Sequence, residues 1–343
     1  MSKKTKILTT SIVIVAVVCV ALLTYFLYLA PEKILTIGIT QIVDHPALNA
    51  VRDGFIDEMT KQGYIKDEDV VYDLQNAQGD MATANTIAQK FVSEKVDLIL
   101  SIATPTSQAV VNATTTIPIV FSAVTDPVGA GLVKNLENSG NNVTGISDLT
   151  PVRKQFELIK EMLPEAKTVG TIYNSAEANS VLTNELAKDA CADLGLKLIE
   201  ATVSSTADVL LAARSLVGKV DAIYVSTDNA TVSALDAVVQ VTNENNIPLV
   251  LADPTTLEKG ALVALGFNYY QHGQQTAPIV IKILEGAKPT DIPVEFAKNV
   301  ELALNLDIAK EIGMSESSLL SALEAFKAKL EKEVEVEFKT IGG

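Results

Sequence analysis

Tryptophan is missing from this chain, and histidine occurs only twice, at His45 and His272. Two imidazoles so far apart argue against a histidine-rich metal site. Basic residues are also scarce. Lys and Arg number 27 against 42 Asp and Glu, a net charge of -15, whereas nucleic-acid binding needs a basic face to neutralise phosphate. Neither a nucleic-acid partner nor a repressor of that kind is expected. Low-complexity stretches are absent, and 48% hydrophobic with 20% charged residues describes a folded chain. The loop Gly129 to Gly131 lacks the lysine and glycine spacing of a phosphate-binding loop, and no Ser/His/Asp or Cys/His set is visible. An enzyme is therefore not expected, and no cofactor is implied.

What is there is an internal echo. The run Val96-Asp97-Leu98-Ile99-Leu100-Ser101, followed by Ile117-Pro118-Ile119-Val120, returns as Val220-Asp221-Ala222-Ile223-Tyr224-Val225-Ser226 and Ile247-Pro248-Leu249-Val250. Each copy closes on Asp-Pro, at Asp126-Pro127 and Asp253-Pro254. A buried strand, a helix-length segment and a second buried strand make half of an α/β layer, used twice. A chain of 343 residues suits two domains of ~150 residues each. Two doubly wound lobes with facing strand ends make a cleft, because ligands in such sheets bind beyond the carboxyl ends of the strands.

The rest of the chain alternates in the same way. Strands are predicted at Leu35 to Thr40 with Gln41 just past the end, at Val70 to Leu74, and at Asn142 to Ser147. Helices are predicted from Pro46 to Met59, from Met81 to Ser93 behind the cap candidate Asp80, and over a short stretch from Thr106. The pattern restarts with a helix from Pro151 and strands at Val169 and Leu198. It ends with a helix from Tyr270 to Leu284 and a strand from Glu301 to Asn305. The expected fold is α/β: two parallel-sheet lobes joined by a three-strand hinge, with crossings near residues 147, 267 and 295. The first lobe takes residues 32–147 plus 267–294 and the second 148–266 plus 295–314. Residues 315–343 read as a helical tail with a solvated face.

At the N-terminus, Lys3, Lys4 and Lys6 precede an uncharged apolar run from Ile7 to Ala30. At 1.5 Å per residue it is long enough to cross a ~30 Å hydrocarbon layer. A cleaved signal peptide has a shorter core and a small-x-small site, but this run ends Tyr25-Phe26-Leu27-Tyr28-Leu29-Ala30-Pro31. Residues 1–31 therefore read as an uncleaved signal anchor in the cell membrane. The basic residues place the N-terminus in the cytoplasm and the rest outside. Cys19 follows Val17 and Val18, a poor lipoprotein site. Cys191 is then alone in the exported part, without a disulfide partner, and its setting between Asp189 and Asp193 reads as structural.

The motifs carry a resemblance. Ile39-Thr40-Gln41 with His45-Pro46-Ala47-Leu48, Ala123-Val124-Thr125-Asp126-Pro127-Val128-Gly129-Ala130-Gly131, Asn142-Val143-Thr144-Gly145, Tyr173-Asn174-Ser175-Ala176-Glu177-Ala178-Asn179-Ser180 and Thr227-Asp228-Asn229 closely resemble the tryptophan/tyrosine-type substrate-binding components of bacterial ABC transporters. The resemblance spans roughly residues 33 to 314. It implies a type I periplasmic binding protein that closes over an aromatic amino acid and delivers it to an ABC permease and its ATPase. Family members are commonly lipoproteins or soluble exported proteins, so the anchor is a reading of this chain's own residues.

A zwitterion needs donors for its carboxylate and acceptors for its ammonium. Helix starts supply unpaired amides, which points to Thr104 at the turn Ser101 to Thr106. Asn174, Ser175, Asn179 and Ser180 are candidate donors and Glu177 a candidate acceptor. Asp228 and Asn229 lie past a strand end, and Asp228 is the leading ammonium acceptor, with an Asx turn as the structural alternative. Asp126 is a secondary choice, Asp253 a weaker one, and Gln41 faces the same rim. His45 reads as a helix-entry residue and Tyr269-Tyr270 as hinge packing. The competing function is a membrane-anchored sensory or adhesive binding domain not coupled to transport. Signalling would need a partner, since only about six residues precede the apolar run.

Overall fold

The computed structural model of the chain describes residues 33–342. In the first lobe the chain runs β1 (Leu35–Gln41), α1 (Pro46–Lys61), β2 (Val70–Asn76), α2 (Met81–Glu94), β3 (Leu98–Ile102), α3 (Thr104–Ala113), β4 (Ile119–Val124) and β5 (Val143–Ser147). Strands β3 and β4 are buried along their whole length. Helices cover both faces of such a sheet, which is why these strands are apolar runs without alternation. Asp80 caps α2 by accepting the Thr83 N–H at 2.6 Å.

The second lobe repeats the order: α4 (Val152–Met162), β6 (Thr168–Asn174), α5 (Ala178–Asp193), β7 (Lys197–Val203), α6 (Val209–Leu216), β8 (Ala222–Val225), α7 (Asn229–Ser233), α8 (Leu235–Glu244), β9 (Leu249–Leu251) and β10 (Val263–Phe267). The sheets read β2-β1-β3-β4-β5 and β7-β6-β8-β9-β10, so the internal echo is β3–β4 against β8–β9. After β10, α9 (Tyr269–Leu284) returns to the first lobe and β11 (Glu295–Phe296) pairs with β5. Then β12 (Val300–Asn305) joins the second sheet antiparallel to β10. Three chain segments thus cross between lobes, the third just after Phe296.

Helices α1 and α9 touch backbone to backbone. A Cβ at Gly54 would lie 2.1 Å from the Tyr270 carbonyl oxygen, and one at Gly273 would lie 2.0 Å from that of Val51. Only glycine fits at either crossing point.

The tail differs from its expectation. After α10 (Leu306–Glu311), helix α11 (Glu316–Leu330) buries Leu319, Leu323, Phe326 and Leu330 in the second core, and β13 (Val336–Ile341) adds a parallel strand beside β12. The i, i+4, i+7, i+11 spacing makes one apolar stripe, so the segment is part of the lobe and not a solvated helix. The anchor reading of residues 1–31 falls outside the described residues. Among the described residues no helix is long and apolar enough to cross a membrane.

Candidate ligand-binding site

The carboxyl ends of both sheets meet at a narrow cavity between the lobes, with about 20 Å³ of free volume. That is far below the ~300–1,000 Å³ typical of small-molecule sites, so the lobes must part to admit a ligand here. The first lobe contributes His45, Ala47 and Leu48 from the start of α1, and Ala123 and Thr125 from the end of β4. The hinge contributes Asp148 and Tyr269, and the second lobe Asn179, Thr227, Asn229, Val232 and Asp253. The lobes are closed on each other: the Ser233 hydroxyl donates across the cleft to the Asp44 carbonyl at 3.4 Å.

One wall is acidic. Asp148 accepts from the Tyr269 hydroxyl at 2.8 Å and from the Thr125 hydroxyl at 3.3 Å, and burial raises its pKa. Asp253 accepts from the Thr255 N–H at 2.8 Å and the Thr256 hydroxyl at 3.3 Å. Burial, with a smaller push from Glu301, drives its carboxyl up to about 6. No cation offsets either carboxylate among these contacts.

The opposite wall offers donors. His45 precedes α1 with extended backbone and caps nothing, and Pro46 has no N–H, so the Ala47 and Leu48 amides lack intrahelical partners. Such a helix start favours an anion. Burial lowers the His45 pKa to about 4, outweighing the Asn229 amide beside the ring, and the imidazole is neutral at physiological pH. Ala123 holds φ 54, a left-handed conformation disfavoured for a residue with a Cβ, while its N–H donates to His272 Nε2 at 3.0 Å.

Of the candidates named from sequence, Asn179, Asn229 and the weaker choice Asp253 reach this cavity. Asp126, Ser175, Glu177 and Asn179 line the outer part of the cleft, where Asp126 Oδ1 accepts the Val128 and Gly129 N–H groups as an Asx turn. Glu177 accepts carboxamide N–H groups from Asn174 (3.1 Å) and Asn229 (2.5 Å). Burial, then Asp228, raises its pKa to about 7. Asn174 Oδ1 accepts the Ala176 N–H, and the buried Ser180 hydroxyl accepts from Asn179 Nδ2.

Three expectations need correction. Gln41 is the last residue of β1, not a rim group: its Nε2 donates to Val43 O and Asn49 Oδ1, and it lines a separate crevice with Arg52 and Leu74. Thr104 is buried in the first turn of α3, off the cavity wall. Asp228 is fully buried, and its two oxygens accept the Asn174 N–H at 2.6 Å and the Thr231 N–H at 2.7 Å. The carboxylate caps α7 and ties it to β6, and Asp228 does not line the cavity. We therefore expect Asp228→Ala to lower folding stability by about 2–4 kcal/mol, through a lost cap and an orphaned buried amide. Thermal melting tests this. A variant that melts like the parent and loses ligand binding would return Asp228 to the site.

Sequence patterns did not single out Asp148, Thr125 or Thr227, and ranked Asp253 and Tyr269 low. The repeat position of Asp253 was the one signal available. Asp148 and Tyr269 lie where the chain changes lobe and carry no local signature.

Residues 36–328 match the model of a family described as ABC transporter substrate binding protein. A tyrosine-binding protein of Clostridioides difficile is 42% identical over 287 residues, 84% of this chain and 83% of the relative. A Streptococcus pneumoniae structure solved in complex with L-Trp is 33% identical, with TM-score 0.80 over 90% of this chain and 100% of that one. The ligand-free, open structure of a Clostridium difficile substrate-binding protein with adhesive properties is 41% identical, with TM-score 0.64 over 89% and 99%. The chain thus superposes better on the L-Trp complex than on the open form, although the latter is nearer in sequence.

Proposed function

The chain belongs to the ABC transporter substrate-binding protein family, and from that premise we propose that it captures tyrosine or tryptophan between its lobes and hands it to a permease and its ATPase. The observation that carries this reading is the pairing of an acidic wall with an uncapped helix start across one small cavity. Asp148 and Asp253 take the ammonium group, and the Ala47 and Leu48 amides take the carboxylate. Leu48, Val232 and Tyr269 supply apolar surface for the ring. Contacts made to both lobes at once favour the closed state over the open one. The reading is of binding without turnover. The apolar run before residue 31 would tether the binding domain outside the cytoplasmic membrane. The adhesive properties described for the Clostridium difficile relative favour a second role in attachment, on the outer surface and compatible with the same cavity.

Titration calorimetry of the protein against the twenty amino acids tests the proposal. L-Tyr or L-Trp should bind with micromolar or tighter Kd and raise the melting temperature, because only the folded state binds. Binding of non-aromatic solutes alone would discard it.

A further inference from the structure

The second-lobe wall of the cavity carries polar atoms that the protein leaves without partners. Asn179, only 4% exposed, donates through Nδ2 to the Thr227 carbonyl at 3.1 Å and to the Ser180 hydroxyl at 3.2 Å. A planar carboxamide so anchored cannot rotate without losing both bonds, and its buried Oδ1 has no partner. The buried Thr227 hydroxyl, on the same wall, is also unpartnered, as is His45 Nδ1 opposite. The sequence pattern points to Asn179 as a donor to the ligand. Its amide hydrogens are already used, so what it presents is an acceptor.

An acceptor held in this way repels a carboxylate, and the ammonium group has the carboxylates of Asp148 and Asp253. Resting on the amino-acid reading above, we propose that Asn179, together with Thr227, selects aromatic amino acids that carry a hydrogen-bond donor on the ring. The phenol O–H of tyrosine or the indole N–H of tryptophan meets Asn179 Oδ1. Phenylalanine fills the same space and leaves that oxygen desolvated and unpaired, the situation in which a site rejects an analogue most strongly. Asn179 and Thr227 are specificity residues. Ser180 and the Thr227 carbonyl position the Asn179 amide.

The test is calorimetry with L-Tyr, L-Trp, L-Phe and 4-fluoro-L-phenylalanine on the wild type, Asn179→Leu and Thr227→Val. The wild type should bind Phe and the fluoro analogue at least about 30-fold more weakly than the better of Tyr and Trp. Asn179→Leu should narrow that ratio to within about fivefold, by losing the preferred ligand and sparing Phe. Thr227→Val keeps the shape and the backbone carbonyl, so it should narrow the ratio less, and it serves if Asn179→Leu fails to fold. Equal wild-type affinity for Phe overturns the proposal, as do variants that weaken Phe and Tyr alike. If no aromatic amino acid binds and another solute does, the ligand reading itself fails and this inference falls with it.

Discussion

Replacing Asp253 with asparagine will weaken binding of the preferred amino acid by about a hundredfold or more, the loss expected when a buried charge pair is broken on one side. Asparagine keeps the shape and, through its Oδ1, the bond from the Thr255 N–H. What disappears is the negative charge on the cavity wall. The same substitution should stabilise the ligand-free protein, for a reason visible in the pKa. Burial drives the Asp253 carboxyl up to about 6, against about 3.9 when unfolded. Between those values the folded state holds more protons than the unfolded one, so stability falls as pH rises from about 4 to 6. Above about 6 the full cost of the buried charge is present until an ammonium arrives. Affinity runs the other way and falls as pH drops below about 6, because the protonated carboxyl cannot pair with the ligand. Melting curves and calorimetry at pH 5 and 7.5 separate the two trends. Undiminished affinity of Asp253→Asn at pH 7.5 would remove Asp253 from the ammonium site.

Gly273→Ala should cost about 3 kcal/mol, at the upper end for overpacking. In a lobe of this size that is a fall of about 6–12 °C in melting temperature. The added methyl would meet the Val51 carbonyl at 2.0 Å and the Phe55 nitrogen at 2.9 Å, both backbone atoms of α1 that cannot swing aside like a side chain. Helix α1 would have to move away from α9. Affinity should suffer too, because α1 begins with the amides of Ala47 and Leu48, and α9 begins with Tyr269, whose hydroxyl holds Asp148. Gly54→Ala, which pushes on the Tyr270 carbonyl from the other side, should behave in the same way. A variant that melts within a degree of the parent would show that the helices are not in backbone contact.

The doubled architecture was legible because its cause is local. Strands covered on both faces must be apolar without alternation, so β3, β4, β8 and β9 stand out as runs. Asp80 and Pro46 mark helix starts through their own backbone and side-chain preferences. The apolar stripe of Leu319, Leu323, Phe326 and Leu330 was also present, but nothing near it in sequence shows which core it covers. The cavity was legible in part. Asn179 and Asn229 follow buried strands, where strand ends face the cleft in any such sheet.

The amino-acid sequence by itself determined the order of strands and helices, the twofold repeat and the end of each sheet that faces the cleft, because these follow from periodicity and capping within a few residues. Tertiary structure decided which polar groups are free to act. Asp228 and Asp253 both follow buried strands and both cap the next turn, yet only Asp253 lies on the cavity wall. Asp148, Asp253 and Tyr269 are brought together where the chain crosses between lobes. Whether a carboxylate serves a helix or a ligand depends on which groups close over it, and some of those come from distant segments, as the Asn174 amide that holds Asp228 does from 54 positions away.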